Sequence, residues 1–283
     1  MPELPEVETI ARQLSAVLVG RSLQSIEVLK EKSWQGEQKL ILNQQIGIVS
    51  RRAKILRIQF QNEMNLLIHL KMSGQLIFVD GDKRVGGGHP TADWIQALPS
   101  SHTRVIFTFS DQTHLYFNDQ RIFGWIRMIT DSEVNHLFQG LSPDIIDQIV
   151  TPEYLFEKAT TRSVPIKQFI MDNQIISGVG NIYANDALNL AKISPLQKTK
   201  TVSLLKMKTL YQAMMTVIDL GIKLGGATSD EKYVHVNGMG GKYQERMRVY
   251  QRTGRPCPNC GVMIVKTKIG GRGTFYCPNC QAL

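Results

Sequence analysis

The stretch CPNCGVMIVKTKIGGRGTFYCPNC, residues 257–280, contains all four cysteines of the chain. They form two C-x2-C pairs, Cys257 with Cys260 and Cys277 with Cys280, and sixteen residues separate the pairs. Each pair can form a tight turn that offers two thiolates to one tetrahedral ion, so the spacing predicts a zinc ribbon. Four protein ligands close the coordination shell, which makes the predicted zinc ion structural. Disulfide bonds are the alternative, and a reducing cytosol disfavours them.

The middle of this stretch, Gly270-Gly271-Arg272-Gly273-Thr274, predicts the turn of a ribbon hairpin. Glycines beside one arginine let the backbone approach a partner closely. Arg272 would then project from the tip of the hairpin. A plain turn with a solvated arginine is the alternative.

Positive charge surrounds the cysteines. Residues 241–283 carry eight lysines and arginines against Glu245 alone, in a chain with a net charge of +9 and a pI of about 9.4. A solvated charged surface would usually mix both signs. The segment therefore indicates a polyanionic partner such as nucleic acid.

Length and hydropathy limit the class of protein. The 283 residues suffice for two or three compact units, and an apolar content of 42% supports real cores. No apolar run approaches the ~18 residues of a membrane span, and the N-terminus lacks the layout of a secretory signal. We expect a cytoplasmic protein.

The other end of the chain reads MPELPEVET, residues 1–9. Removal of Met1 would leave Pro2 as a secondary amine, and an α-amino group titrates near ~7.7–8.0. Glu3 could donate a proton beside it, a combination suited to Schiff-base chemistry. The alternative is a plain helix start, because Pro5 and acidic residues suit a first turn. Apolar spacing from Val7 onward predicts an amphipathic helix that ends at Gly20.

Short β-branched runs follow this helix, at 25–29, 47–60, 66–69, 76–79, 104–109 and 114–117. Turn residues separate them, so they predict an antiparallel sandwich or barrel rather than βαβ units. The glycine-rich segment 80–90 predicts a flexible loop. Met72 and Phe123 stand in turns that follow such runs. Each alone is typical of a core, but apolar wedges beside Arg121 would suit insertion into a base stack.

The pattern becomes helical after Leu141-Ser142-Pro143-Asp144, which predicts an interdomain linker. Helices are predicted at 155–159, 166–174, 182–190 and 202–220. Gly178 and Gly180 permit a tight turn, after which Asn181 and free N–H groups could bind a DNA phosphate. The polar segment 225–241 predicts either a mobile functional loop or a disordered connector.

Several motifs occur together and in order: the PELPEVET start, Arg-Arg-Ala-Lys, His-Leu-x-Met-Ser-Gly, Asp-x-Arg-x-Phe-Gly, Met-Asp-Asn-Gln with Gly-Val-Gly-Asn-Ile-Tyr-Ala-Asn, and the ribbon Gly-Arg-Gly-Thr. In these motifs, and over its whole length, the chain closely resembles the bacterial formamidopyrimidine-DNA glycosylases, which excise 8-oxoguanine and ring-opened purines.

The resemblance implies a multidomain α+β fold. Residues 1–132 would form a catalytic antiparallel β-sandwich with flanking helices, and 133–150 a linker. Residues 151–241 would form a helix-two-turn-helix DNA-binding domain with a lesion-capping loop, and 242–283 the four-cysteine zinc ribbon. The implied partner is double-stranded DNA that contains oxidised purines, the implied cofactor is one structural Zn²⁺, and we expect a monomer.

The resemblance also implies the chemistry, a glycosylase combined with an abasic-site lyase. Pro2 would attack C1′ of the damaged nucleotide, and Glu3 would be the acid/base partner in sugar opening. Lys54 matches the family's lysine associated with base release and β-elimination. Arg272 matches the ribbon arginine that grips phosphate and is linked to δ-elimination. Glu6 matches a glutamate near the catalytic amine without a clear role.

The remaining matches concern DNA. Arg121 would face the orphaned partner base, and Met72 and Phe123 would fill the gap left by flipping. The positions that match contacts to the DNA backbone are His102, Arg162, Lys167 and Asn181.

Two positions depart from the family pattern. Ala227 stands where many members have Ser, in a capping loop (229–241) slightly longer than usual, and Asp186 stands where many have Glu.

Two alternatives stay open. An endonuclease VIII-like enzyme for oxidised pyrimidines usually has Gly where this chain has Leu4, and a non-catalytic zinc protein could only recognise damaged DNA.

Overall fold

The computed structural model describes residues 2–228 and 240–283. The chain forms two compact units, Met1–Gly140 with Ile222–Gln244, and Leu141–Gly221 with Glu245–Leu283. Most of the predicted capping loop, 229–239, and Met1 lie outside the described residues. Within the described ranges, no helix combines the length and the apolar character that a membrane-spanning segment needs.

Helix α1, Leu4–Leu18, begins the first unit and confirms the predicted amphipathic helix. It starts three residues before Val7, because Glu3 caps it and Pro5 occupies its first turn. Its apolar face, which includes Val7, Leu14 and Leu18, is buried in the core of this unit. That packing holds the start of the chain in one place.

Ten strands follow: β1 Leu23–Val28, β2 Trp34–Gln35, β3 Ile46–Arg52, β4 Ile55–Phe60, β5 Met64–His69, β6 Gly74–Asp80, β7 Lys83–Gly88, β8 Thr103–Phe109, β9 His114–Asp119 and β10 Trp125–Thr130. They form two sheets in the orders β1-β8-β9-β6-β7 and β2-β10-β5-β4-β3. All pairings are antiparallel except β10 with β2. Apolar side chains of both sheets and of α1 share one core. This is the predicted sandwich.

Two local predictions differ from the structure. The segment predicted as a flexible loop, 80–90, contains strand β7, which pairs with β6. Its glycines serve close packing, since a Cβ at Gly86 or Gly88 would collide with the backbone of Leu76 or Gly74. The predicted run 47–60 is two strands, β3 and β4, joined at Ala53, which has a φ of 54°.

The predicted linker 133–150 begins inside helix α2, Asp131–Gln139. Thr130 and Glu133 form its capping box, in which the Thr130 N–H donates to the Glu133 carboxylate at 2.8 Å. The sequence contains this start signal, but the change in composition there obscures it. The prediction that residues 133–150 link two functional domains stays a prediction.

The second unit contains helices α3 Pro152–Thr160, α4 Ile166–Ile170 and α5 Asn181–Leu190, most of α6 Leu204–Lys223, and a ribbon of strands β11 Val265–Ile269 and β12 Arg272–Tyr276. Helix α4 is shorter than the predicted 166–174. Helix α5 anchors the ribbon, because Asn185 Oδ1 accepts the Phe275 N–H at 2.8 Å. Asp186 is fully buried and accepts the N–H groups of Arg248 and Val249, each at 3.0 Å. Asp186, whose side chain is one carbon shorter than that of glutamate, therefore binds the backbone of residues 248–249.

Candidate active site

The predicted nucleophile and its acid partner stand at the start of α1. Pro2 is buried, and Glu3 is 3% exposed. The Glu3 N–H donates to Glu6 Oε2 at 2.7 Å, which fixes the backbone at the helix N-cap. Because α1 is packed into the core, both predicted catalytic residues are held at a rigid helix end.

Glu6 also contacts the segment that leads into residues 229–239. Its Oε1 accepts the Ala227 N–H at 2.8 Å. Gly226 has a φ of 82°, and a Cβ there would lie 2.7 Å from Glu6 Cγ, so the approach requires glycine. Glu6 thus joins the backbone of Glu3 to the entry of the predicted capping loop, a role that the sequence left open.

Lys54 lies in the tight turn between β3 and β4 and is 9% exposed. Arg51, on the same hairpin, donates from Nε to Glu8 Oε2 at 2.7 Å and reaches the Ala53 carbonyl at 3.3 Å. Burial alone would raise the pKa of Glu8, but the hydrogen bonds from Arg51 and Arg12 outweigh it and lower that pKa. This ion pair ties the helix that carries Pro2 and Glu3 to the hairpin that carries Lys54.

His69 is a site residue that the sequence analysis did not single out. Burial, together with the positive charges of Lys71 and Lys54, lowers its pKa to about 4. Nδ1 accepts the Lys71 N–H at 2.9 Å, so the neutral ring carries its proton on Nε2. The signal was present, because His69 opens the His-Leu-x-Met-Ser-Gly motif. A neutral imidazole among cations is suited to donate a hydrogen bond to a phosphate.

Both apolar residues of the predicted wedge are exposed. Met72 and Phe123 are 39% and 49% exposed, which is unusual for large apolar side chains. The Arg121 guanidinium carbon lies 4.7 Å from the centroid of the Phe123 ring. The structure therefore brings Arg121 and Phe123 together, and both can meet a base stack.

A buried carboxylate organises both wedge turns. Asp119 is fully buried and accepts hydrogen bonds from the Ser73 hydroxyl and from the N–H groups of Arg121, Phe123 and Gly124. The bonds to Phe123 and Gly124 measure 2.8 and 2.6 Å. Since Ser73 follows Met72, one side chain holds the turn of Met72 and the turn of Phe123 together.

His102 is half-buried beside Asp93. Its Nδ1 lies 3.0 Å from Asp93 Oδ2, and Asp93 is 3% exposed. A buried carboxylate accepts but does not donate when ionised, so it holds the proton on Nδ1. Nε2 is then the nitrogen of His102 left for a DNA phosphate.

In the second unit, a cavity of about 500 Å³ is lined by the predicted DNA residues Arg162, Lys167 and Arg272. Arg272 is exposed at the start of β12, next to the hairpin turn. Lys167 differs, since it is 1% exposed and its ammonium donates to the Gly273 carbonyl and to Thr274 Oγ1, both at 2.8 Å. Lys167 thus fixes the strand that begins with Arg272. Its predicted contact with DNA stays a prediction.

Asn181 is the first residue of α5 and follows the predicted glycine turn, in which Gly178 has a φ of 98°. It is partly exposed, and its carbonyl accepts the side-chain amide of Asn185 at 2.5 Å. Asn185 in turn binds the ribbon, so Asn181 and β12 are positioned by the same side chain.

The four cysteines meet as the spacing predicts. Their sulfur atoms all lie within 4.8 Å of one another. A tetrahedral zinc ion with Zn–S bonds of about 2.3 Å separates its ligands by about 3.8 Å, so the cluster fits that ion. A hydrogen bond from Asn279 lowers the pKa of Cys260 to about 6, and the side chain of Cys260 raises the pKa of Cys280 to about 12. A divalent cation would relieve this competition for protons and bind four thiolates in a closed, structural shell.

Known proteins resemble the chain over its whole length. Three family models match it: "Formamidopyrimidine-DNA glycosylase N-terminal domain" over 1–126, "Formamidopyrimidine-DNA glycosylase H2TH domain" over 141–232, and "Zinc finger found in FPG and IleRS" over 254–283. The formamidopyrimidine-DNA glycosylase of Pelotomaculum thermopropionicum is 36% identical, with 99% of each chain covered. That of Neisseria meningitidis is also 36% identical, covering 99% of this chain and all of the relative.

Solved structures agree with these relatives. The Lactococcus lactis Fpg bound to DNA with an abasic site superposes with a TM-score of 0.87 at 29% identity, over the full length of both chains. The MutM (Fpg) protein of Thermus thermophilus superposes with a TM-score of 0.83 at 30% identity, over 99% of this chain and 98% of that one.

Proposed function

This chain belongs to the formamidopyrimidine-DNA glycosylase family, and from that premise we propose that it removes oxidised purines from double-stranded DNA and cleaves the resulting abasic site. The observation that carries the proposal is the helix end at which Pro2 and the buried Glu3 stand together. An amine and a carboxyl group fixed at one point supply the nucleophile and the acid that the reaction requires.

The first step requires a free Pro2 amine, and hence removal of Met1. The Pro2 nitrogen forms a bond to C1′ of the damaged nucleotide as the glycosidic bond breaks, and the base leaves with the bonding electron pair and takes up the proton that the Pro2 nitrogen loses. Glu3 donates a proton to the sugar ring oxygen as the ring opens, which leaves an iminium between Pro2 and the sugar. A secondary amine forms this iminium without a further proton to lose.

Strand cleavage follows from the iminium. Loss of a C2′ proton expels the 3′ phosphate in β-elimination, and a second elimination expels the 5′ phosphate. We assign proton transfer in the first elimination to Lys54 and grip of the phosphate in the second to Arg272. The Arg51–Glu8 ion pair supports the first assignment, because it couples the Lys54 hairpin to the Pro2 helix.

Reaction inside a duplex requires the nucleotide to leave the stack, at a cost of a few kcal/mol. Met72 and Phe123 can occupy the gap because both side chains are exposed, and Arg121 stands beside Phe123 to meet the orphaned base. His102, Arg162 and Asn181 would offset the remaining cost through contacts to the DNA backbone. Lys167 acts in this proposal by holding β12.

We assign one function to each of the predicted domains. Residues 1–132 carry the chemistry and the wedge, 151–241 the helix-two-turn-helix contacts and the capping loop, and 242–283 the zinc ribbon. We place the protein in the bacterial cytoplasm, at the nucleoid when it acts on DNA.

Borohydride trapping tests the function. A duplex with 8-oxoguanine opposite cytosine should give a covalent adduct of enzyme and DNA, because borohydride reduces the iminium to a stable amine. The adduct should vanish in protein that retains Met1, which mass spectrometry identifies, and should form more slowly in Pro2→Gly, which keeps a primary amine at the same place. An undiminished adduct in protein that retains Met1 would move the nucleophile to a lysine, and no adduct with any lesion would leave only a damage-binding protein.

A second substrate class has one observation in its favour. A Lactococcus lactis Fpg (MutM) with a TM-score of 0.86 and 30% identity was solved with DNA that contains an oxidised pyrimidine. Competition between 8-oxoguanine and an oxidised pyrimidine in equal amounts measures the preference. Faster excision of the pyrimidine would favour the endonuclease VIII-like alternative.

A further inference from the structure

A concavity of about 500 Å³ adjoins the wedge on the first unit. Met72 and Phe123 form part of its wall, and Lys32, Trp34, Lys71, Trp125 and Arg127 complete the charged and aromatic lining. Neither Pro2 nor Glu3 lines it. The concavity is therefore distinct from the site proposed for the flipped nucleotide.

The charge of the lining has one sign. Lys32, Lys71 and Arg127 supply three cations, and no acidic residue lines the concavity. Within 2–228 and 240–283, none of these three side chains has a salt bridge. Three cations without counter-charges attract a polyanion.

The guanidinium of Arg127 lies over the ring of Trp125 on β10, and we call this pair the Trp125–Arg127 platform. The Arg127 guanidinium carbon lies 4.5 Å from the centroid of the Trp125 ring, and the His69 ring lies 5.7 Å from it on the neighbouring strand. Arg127 itself is exposed. A guanidinium stacked on an indole keeps its N–H edges free for phosphate, because stacking uses only the faces.

Trp34, on the strand that pairs with β10, adds an aromatic side chain to the lining. Its indole N–H donates to the Gly36 carbonyl at 2.8 Å, and its ring centroid lies 6.0 Å from that of the buried Phe107. Aromatic surfaces interleaved with cations are what proteins use to bind unstacked nucleotides.

We propose that this concavity binds the undamaged strand, at the nucleotide next to the orphaned base. The inference rests on the proposed function. The proposed function places Arg121 and Phe123 at the orphaned base. Because Phe123 also lines the concavity, the strand that carries the orphaned base would continue into the concavity. The Trp125–Arg127 platform stacks the neighbouring base, the guanidinium edge of Arg127 contacts the phosphate beside the orphaned base, and Lys32 and Lys71 contact phosphates further along the strand.

The test measures equilibrium binding to a duplex that carries a stable abasic-site analogue, at several salt concentrations. Arg127→Ala and Trp125→Leu should each weaken binding by about 5- to 150-fold, the range of one lost stacking contact. Arg127→Ala should also lower the slope of log K against log[salt] by about 1, because one phosphate contact is lost. Lys39→Ala is the matched control, since it removes an exposed cation of the same unit outside the concavity.

The strand is identified by neutral methylphosphonate linkages. Placed beside the orphaned base, they should weaken binding of the wild type but have little further effect on Arg127→Ala. The same linkages in the damaged strand should weaken both proteins equally. Additive effects on the undamaged strand, or variants that bind like Lys39→Ala, would overturn the proposal.

Borohydride trapping with the same proteins separates this inference from the function on which it rests. A wild-type adduct together with unaltered binding by the variants overturns only the second site. Absence of a wild-type adduct overturns the proposed function itself.

Discussion

The hydroxyl of Ser73 donates a hydrogen bond to the carboxylate of Asp119, 46 residues later in the chain. This contact joins two turns that the sequence shows only as separate motifs. Asp119 also accepts the N–H groups of the turn that carries Phe123. The geometry of the proposed wedge therefore depends on one buried side chain that does not itself face the DNA.

Asp119→Asn should disable the wedge. The amide NH2 would replace one acceptor oxygen and face backbone donors, so we expect a loss of about 2–4 kcal/mol in the free energy of unfolding. Excision of 8-oxoguanine from a duplex should fall more than about tenfold, whereas cleavage of an abasic site in single-stranded DNA should change little. Ser73→Ala is the milder comparison, because it removes the hydrogen bond to Asp119 and one acceptor of the Arg121 N–H but leaves the carboxylate in place, at a cost of about 1–2 kcal/mol. Normal excision by Asp119→Asn in duplex DNA would contradict this role.

Glu6→Gln should slow catalysis because the Glu6 carboxylate holds the backbone of Glu3 in place. Two N–H groups, of Glu3 and Ala227, bind the two carboxylate oxygens, and glutamine can accept only one of them. The orphaned donor costs about 1–3 kcal/mol, and single-turnover excision should slow by about tenfold. Gly226→Ala should give a similar loss by forcing Glu6 away. Wild-type single-turnover rates in both variants would show that the bridge is dispensable.

His69 gives a pH prediction with a definite sign. Its pKa in the folded protein is about 4, below the ordinary value of 6.5, so the unfolded chain binds more protons between these values. The contribution of His69 to stability is therefore complete above pH 6.5 and is lost as the pH falls through about 4. The loss amounts to about 2–4 kcal/mol. Urea unfolding of the wild type and His69→Gln should diverge over this range, and an NMR titration should show no His69 transition between pH 8 and 6.

Lys167→Met separates two roles of this residue. If Lys167 holds β12, the variant should lose about 2–4 kcal/mol of stability and bind DNA more weakly with an unchanged salt slope. If it contacts phosphate, the slope should fall by about 0.9. Arg162→Ala, which removes a partly exposed cation of the same cavity, is the reference for a true phosphate contact.

The sequence predicted those parts of the structure that follow from local patterns. The cysteine spacing predicted the metal cluster, the apolar periodicity of 7–18 predicted α1, and short β-branched runs separated by turn residues predicted the sandwich. Each pattern reports which residues are buried or which ligands are adjacent. None requires knowledge of a distant partner.

The features that the sequence did not predict depend on contacts with residues far away in the chain. The glycines of β7 suggested flexibility, yet they are required by the close approach of β6. The burial of Lys167 depends on a carbonyl 106 residues away. The low pKa of His69 depends on burial and on two lysines brought together by folding. Local sequence patterns cannot predict contacts between residues that are far apart in the chain. A motif shared with a family identifies some of these residues but not their partners.

The bond from Ala227 to Glu6 has a consequence for substitutions at position 227. The donor is a backbone N–H, which every residue except proline supplies. The side chain at 227 takes no part in this hydrogen bond, so Ala227 meets the requirement as well as a serine would. A change of side chain at 227 would therefore leave the hydrogen bond between this segment and Glu6 in place.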